Sequence, residues 1–242
     1  MRLHRVLAVA KKDVRIYYAK GPVIISGLLL PAFFFLAFTM GREMSGTQLV
    51  AGLVGMTLWF TSTSISPVIA PWETRDGTLE RLVSAPITVV EILFGDVLAS
   101  AVVGVAITGF ATVALSFALG FSIAHPVTFG TGLVLAAIGF SALGVLLAAV
   151  PTDQTANVMM LATLVKFSVI FVSGIFVPVE NLPSWGRVVA YVSPLTYFVK
   201  VTKFGLGADG GVSRWLVGLL CFFLVAFGLA VVVHRRTLPR RL

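Results

Sequence analysis

Residues 73–99 read ETRDGTLERLVSAPITVVEILFGDVLA, and their character changes halfway. Up to Ala85, acidic and basic residues surround Leu79, Leu82 and Val83, whose spacing gives a short helix one apolar face. Pro86 stops that element, because the residue before a proline is pushed out of the helical region. Thr88 and Glu91 then stand at the spacing of a capping box, with Ile87 and Ile92 placed as its hydrophobic staple. A new, long helix therefore starts at 88, and residues 73–86 form a separate short helix between two long apolar runs.

Those runs decide the fold class. Of the 242 residues, 58% are hydrophobic and 12% charged, whereas a soluble domain carries about 25% charged residues. Apolar stretches recur at 22–40, about 48–72, about 92–121, 127–150, 156–178 and 212–233. About 20 apolar residues cross a bilayer as a helix, and in lipid the backbone must satisfy its own hydrogen bonds. No alternating strand pattern points to a barrel. The expectation is an all-α polytopic membrane protein with six transmembrane helices, one domain over 1–242. Pro31 predicts a kink in the first run, which reads as a retained anchor because no small-x-small cleavage site follows it.

The charge of +8 suggests nucleic acid at first sight, but no solvated basic face with base-reading residues accompanies it. The cations gather instead at the chain ends and between particular spans. With both termini cytoplasmic, 12 of the 18 Lys and Arg residues fall on cytoplasmic segments, as orientation by positive charge requires. Residues 3–18 place Leu3, Leu7, Ala10, Val14 and Tyr17 on one face, opposite Arg5 and Lys12. Segment 1–21 is thus expected to be an amphipathic helix on the membrane surface, or a leader docked on a partner. On the far side, 179–211 is too long for an idle connection, and 179–206 within it carries two helical patterns. Trp185, Val188, Val189 and Val192 share one helical face, and Leu195, Phe198 and Val199 begin another after Pro194. A re-entrant outer hairpin is expected, with Trp185, Tyr191 and Tyr197 at headgroup depth; a loop packed on the outer surface is the plainer reading.

Several chemistries lack their residues. No glycine is followed by lysine, so no P-loop exists to hold ATP. His4, His125 and His234 are far apart, and Cys221 is the single cysteine, so neither a metal site nor a disulfide is expected. No cofactor is indicated. The spans hold many Ser and Thr residues but no mid-span carboxylate to build a hydrolase, and small hydroxyls commonly serve helix packing. Lys166 stands apart, about 16 Å into its helix at 1.5 Å per residue. A cation there costs about 2.5 to 3.5 kcal/mol unless it faces a cavity or a partner. It lines a substrate path, favouring anionic groups, or it snorkels or pairs between helices, for instance with Asp96.

The segments at 73–99 and 173–200, the second reading SGIFVPVENLPSWGRVVAYVSPLTYFVK, together resemble the ABC-transporter type-2 permeases of multidrug-efflux type, over essentially the whole chain. The resemblance implies the membrane subunit of an ATP-driven exporter in the cell membrane, with ATP hydrolysis on a separately encoded ATPase. It also implies a second permease copy, as a homodimer or with a related permease. Gly77, Thr78, Leu79, Glu80, Leu82, Val83 and Pro86 would then belong to the coupling helix that docks on the ATPase, with Glu73, Arg75, Asp76 and Arg81 pairing to its surroundings. Leu182, Pro183, Trp185, Pro194, Leu195, Thr196 and Tyr197 would form the outer gate. The second and fifth helices line the central path in related transporters, which singles out Thr61, Ser62, Ser64, Asn157 and Lys166. A hydrophobic or amphipathic cargo follows from the apolar, hydroxyl-dotted spans, and membrane lipid is the surrounding partner. A gradient-driven carrier or channel and a non-transporting scaffold are the rival readings; both dispense with the ATPase.

Overall fold

A computed structural model describes residues 2–18, 25–41, 44–150, 152 and 154–237, and all regular structure among them is helical. Five helices are long and apolar enough to cross a membrane: Gly46–Arg75, Val89–Leu119, Pro126–Leu147, Thr155–Val172 and Ser213–Thr237. The first predicted crossing is shorter among the described residues, an apolar helix over Gly27–Thr39; residues 22–24 lie outside them. A π-helical turn, Ile25–Leu29, leads into α2 (Leu30–Thr39). Pro31 thus stands in the first turn of α2, where its missing N–H costs least.

The centre of the bundle is α3 (Gly46–Ser64), whose Val54, Met56, Leu58 and Trp59 are fully buried. Ser45 caps its start, accepting from the Gln48 amide at 3.3 Å. The indole of Trp59 meets Phe140 edge-on at 4.8 Å, and Phe140 meets Phe198 in the same way at 6.2 Å. This aromatic chain ties α3 to α7 (Pro126–Leu147) and to α10 (Pro194–Gly205). At Ile65 the helix breaks and resumes as α4 (Ser66–Arg75). Pro67 causes the break, having no N–H to offer the carbonyl four residues earlier. Pro71 lies inside α4.

The N-terminal helix α1 (Leu3–Asp13), extended by a π-turn Val14–Tyr18, packs along α6 (Val89–Leu119). Its buried residues are Val6, Val9, Ala10 and Asp13, while Leu3 and Leu7 are exposed. The expected apolar face is therefore split. A close approach selects the inner side: Gly95 of α6 leaves room for Val9, and a Cβ there would sit 2.6 Å from the Val9 Cβ.

Helix α11 (Ser213–Thr237) lies against α7 and leaves Val217, Leu224 and Val225 uncovered. Beyond α8 (Thr155–Val172) the chain turns at Gly174 with φ +77°, a left-handed conformation that glycine adopts without penalty. There the Gln48 side-chain amide donates to the carbonyls of Gly174 and Ile175, both at 2.8 Å. A 3-10 turn, Val179–Asn181, then leads to α9 (Ser184–Val192) and α10. Both short helices expected after 179 exist. Leu195, Phe198 and Val199 are buried as their spacing requires, but Trp185, Val188, Val189 and Val192 of α9 face outward from the chain.

Candidate functional site

The short element in the opening segment is α5 (Thr78–Ser84), seven residues long. It starts later than the charge pattern suggests, because Glu73 and Arg75 still belong to α4. The joint is Gly77, at φ +64°. There the backbone turns out of α4, the Asp76 amide bonding back to the Trp72 carbonyl at 2.9 Å and the Gly77 amide to Thr74 at 3.3 Å. The Thr78 hydroxyl donates to the Glu73 carbonyl at 3.3 Å. On its other side α5 runs through extended Ala85 and exposed Pro86 to the α6 cap. That cap is the capping box read from the sequence: the Glu91 amide donates to the Thr88 hydroxyl at 3.3 Å, and the Thr88 amide to a Glu91 carboxylate oxygen at 3.0 Å.

Thr78, Glu80 and Leu82 thus lie on one short helix between the turn at Gly77 and Pro86, and Thr78, Glu80 and Pro86 are exposed. Leu79 and Val83 lie in the same helix, their side chains outside what is described. Leu82 lines two clefts that separate α5 from α1, one of about 650 Å³ beside Tyr17, Trp72 and Asp76, the other of about 270 Å³ beside Arg5, Val9 and Pro86.

What the sequence reading missed is the anchor beneath the rod. Glu73, assigned to surface pairing, is 3% exposed and bonded to the Lys12 ammonium. Lys12 also lies 3.0 Å from Asp13, and Asp96 of α6 lies against the same cluster. Three buried carboxyls share one cation. Burial opposes the charge on Lys12, but the carboxyls of Asp13 and Glu73 outweigh it and raise its ammonium above the usual lysine range. Tyr17 stacks on Trp72 with centroids 5.5 Å apart. Its phenol is pushed up to about 12, first by burial and then by the charge of Glu73. At the α6 end, Glu91 accepts the Arg2 backbone amide at 2.6 Å and has Arg5 3.9 Å away. Helix α1 therefore clasps both ends of the segment that carries α5. The available signal was Asp13, an acid on an apolar helical face, and Asp96, an acid inside an apolar run.

The expected path residues separate. Thr61 is buried and returns its hydroxyl to Thr57 at 2.8 Å. Ser62 is buried where Ser100 donates to its carbonyl at 2.8 Å. Asn157 bonds Gln154 at 3.1 Å on the exposed first turn of α8, about 13 Å along the helix from Lys166 at 1.5 Å per residue. Only Ser64 meets Lys166, its hydroxyl accepting from the ammonium at 3.2 Å, with the Phe60 ring 5.7 Å below. The suggested pairing of Lys166 with Asp96 is not formed, since Asp96 faces α1.

At the other end, the Tyr197 hydroxyl donates to the Tyr191 carbonyl, Tyr191 stacks on Trp215 at 6.1 Å, and Lys200 pairs with Glu180. Leu182 accepts from Arg187 at 3.0 Å, just ahead of Pro183 and Trp185. Pro194 opens α10, and Leu195 and Thr196 are buried in its first turn.

A search of curated proteins returned no match. A family model described as ABC-2 type transporter matches residues 5–205, a span that includes α5 and the short helices α9 and α10. The chain accordingly belongs to the ABC-2 type transporter family and is a multi-pass permease of an ABC-type transporter.

Proposed function

We propose that this permease is half of an ATP-driven exporter, and that α5 is the coupling helix through which a separate ATPase moves the bundle. A single transmembrane domain over 1–242, six crossings, a cell-membrane location and cytoplasmic termini complete the reading. The observation that carries it is the mounting of α5. A seven-residue helix projects exposed side chains while its roots are fixed by the Lys12–Glu73 pair and the Glu91 cap. A change of shape needs a contact whose energy differs between two states. A short rod hinged at Gly77 and clasped by α1 offers such a contact to a partner that itself changes with nucleotide.

Two permeases would enclose the path, opening outward when the ATPases close, with α9 and α10 gating the far end. The cargo is hydrophobic or amphipathic, in keeping with the apolar spans. Leu79→Asp in α5 is expected to abolish ATP-dependent transport and partner co-purification while membrane insertion stays normal. Unchanged transport by that variant would sink the assignment. A permease that transports with no ATPase bound would instead be a gradient-driven carrier.

A further inference from the structure

We infer that Lys166, with Ser64 at the break between α3 and α4, is a binding site for the oxyanion head of an amphipathic molecule, a carboxylate or phosphate on an apolar tail. The inference deepens the exporter reading by naming its cargo class, and rests on that reading for the word cargo.

The ammonium of Lys166 is underpartnered for its place. It has three N–H donors, and among the described residues Ser64 accepts one, at 3.2 Å. The Ser64 hydroxyl proton is committed to the Phe60 carbonyl, so its free lone pair faces the lysine. The remaining environment is aromatic: Phe60 lies 5.7 Å below the charge, and Phe167 meets Phe60 and Phe34 at 6.0 and 5.1 Å. No described carboxylate forms an ion pair with it. A cation inside a span without a counter-charge marks a cavity or a ligand path.

The helix break is independent evidence. Interrupted helix at membrane depth persists where it is enclosed by protein or lines a cavity, and paired half-helices commonly frame transported ions. Here the interruption at Ile65–Pro67 follows directly on the residue that holds the lysine. Lys166 is half-buried, and two turns earlier on the same face of α8 Met159 is exposed, a surface for an apolar tail.

A second copy of the chain does not supply the missing anion. Copies in one membrane share an orientation, so the counter-charge would have to stand at the depth of Lys166. The carboxylates of the sequence lie between the apolar runs or near their ends, and Asp13, Glu73 and Asp96 are already gathered around Lys12. A diffusible oxyanion is left as the occupant, and the apolar surroundings require that it bring its own apolar body.

The test is equilibrium binding to the full-length permease in phosphatidylcholine nanodiscs, with empty nanodiscs subtracted. Dansylated undecanoate is compared with the matched dansylated undecylamine and with inorganic phosphate as competitor. Undecanoate is expected to bind saturably and about ten-fold or more tightly than the amine, the margin of a desolvated charge pair. Lys166→Met should erase that preference and Lys166→Arg should keep it. Competition by phosphatidate in the bilayer identifies a lipid as the source of the head, and competition by dodecyl phosphate in bulk a soluble cargo. Either supports the site, and competition by neither overturns it. Equal binding of acid and amine, a preference that survives Lys166→Met, or inorganic phosphate competing as well as undecanoate would each overturn the inference. The Arg variant guards against a folding defect. Binding is read without nucleotide or ATPase, so this result and the coupling result stand or fall separately.

Discussion

Lys12, in the last turn of α1, bonds Glu73 in the last turn of α4, joining positions 61 residues apart immediately before the hinge at Gly77. The contact fixes the end of α4 from which α5 departs.

Removing one member of this pair should cost more than removing both. Lys12→Met leaves Glu73 buried beside Asp13 without its cation, and breaking a buried pair from one side costs about 3 kcal/mol or more. The Lys12 side chain is partly solvated, at 29% exposed, so about 2 kcal/mol is expected. The double variant Lys12→Met, Glu73→Gln should recover part of the loss. Thermal unfolding of the three variants in detergent checks this; additive losses would count against the pair.

The same cluster sets an alkaline limit. Lys12 and Tyr17 both have folded-state values raised above their unfolded ones. Each therefore contributes stability that is complete below pH about 10 and declines as pH rises through the folded values. Midpoints of unfolding should be flat near neutrality and fall above pH about 10. Tyr17→Phe should flatten part of that fall, and phenolate absorbance should show a tyrosine titrating near 12.

Gly95 governs the seat of α1. A Cβ there would lie 2.6 Å from the Val9 Cβ and 3.2 Å from the Val6 carbonyl oxygen, so the backbone of α1 itself must move. Gly95→Leu is expected to destabilise by about 1 to 3 kcal/mol and to speed protease cleavage within residues 3–18. Unaltered proteolysis would show that α1 is not held there.

At the far end, Gln48→Leu removes the donor shared by the Gly174 and Ile175 carbonyls. Two buried acceptors lose their partner, at about 1 to 3 kcal/mol each. Thermal unfolding should fall accordingly, with amide exchange rising first over 173–182.

Much of this was legible beforehand because it is local. The Thr88–Glu91 cap depends on residues three apart, and the end of α5 on Pro86. The spans depend on length and hydropathy, which need no neighbours. The start of α5 was misplaced because charge alone does not end a helix. Glu73 and Arg75 continue α4 until Gly77 supplies the left-handed turn.

The sequence by itself determined an all-helical chain for the bilayer, its short charged rod and the cap after it, since each follows from period, composition or spacing within a few residues. Tertiary structure decided which face of α1 is inside, that Glu73 is buried under Lys12, and that Lys166 finds Ser64 in place of Asp96. Those outcomes depend on helix rotation and on close approach at residues such as Gly95. In an apolar chain almost every face is hydrophobic enough to be either buried or lipid-facing, so the pattern leaves the rotation open and packing fixes it.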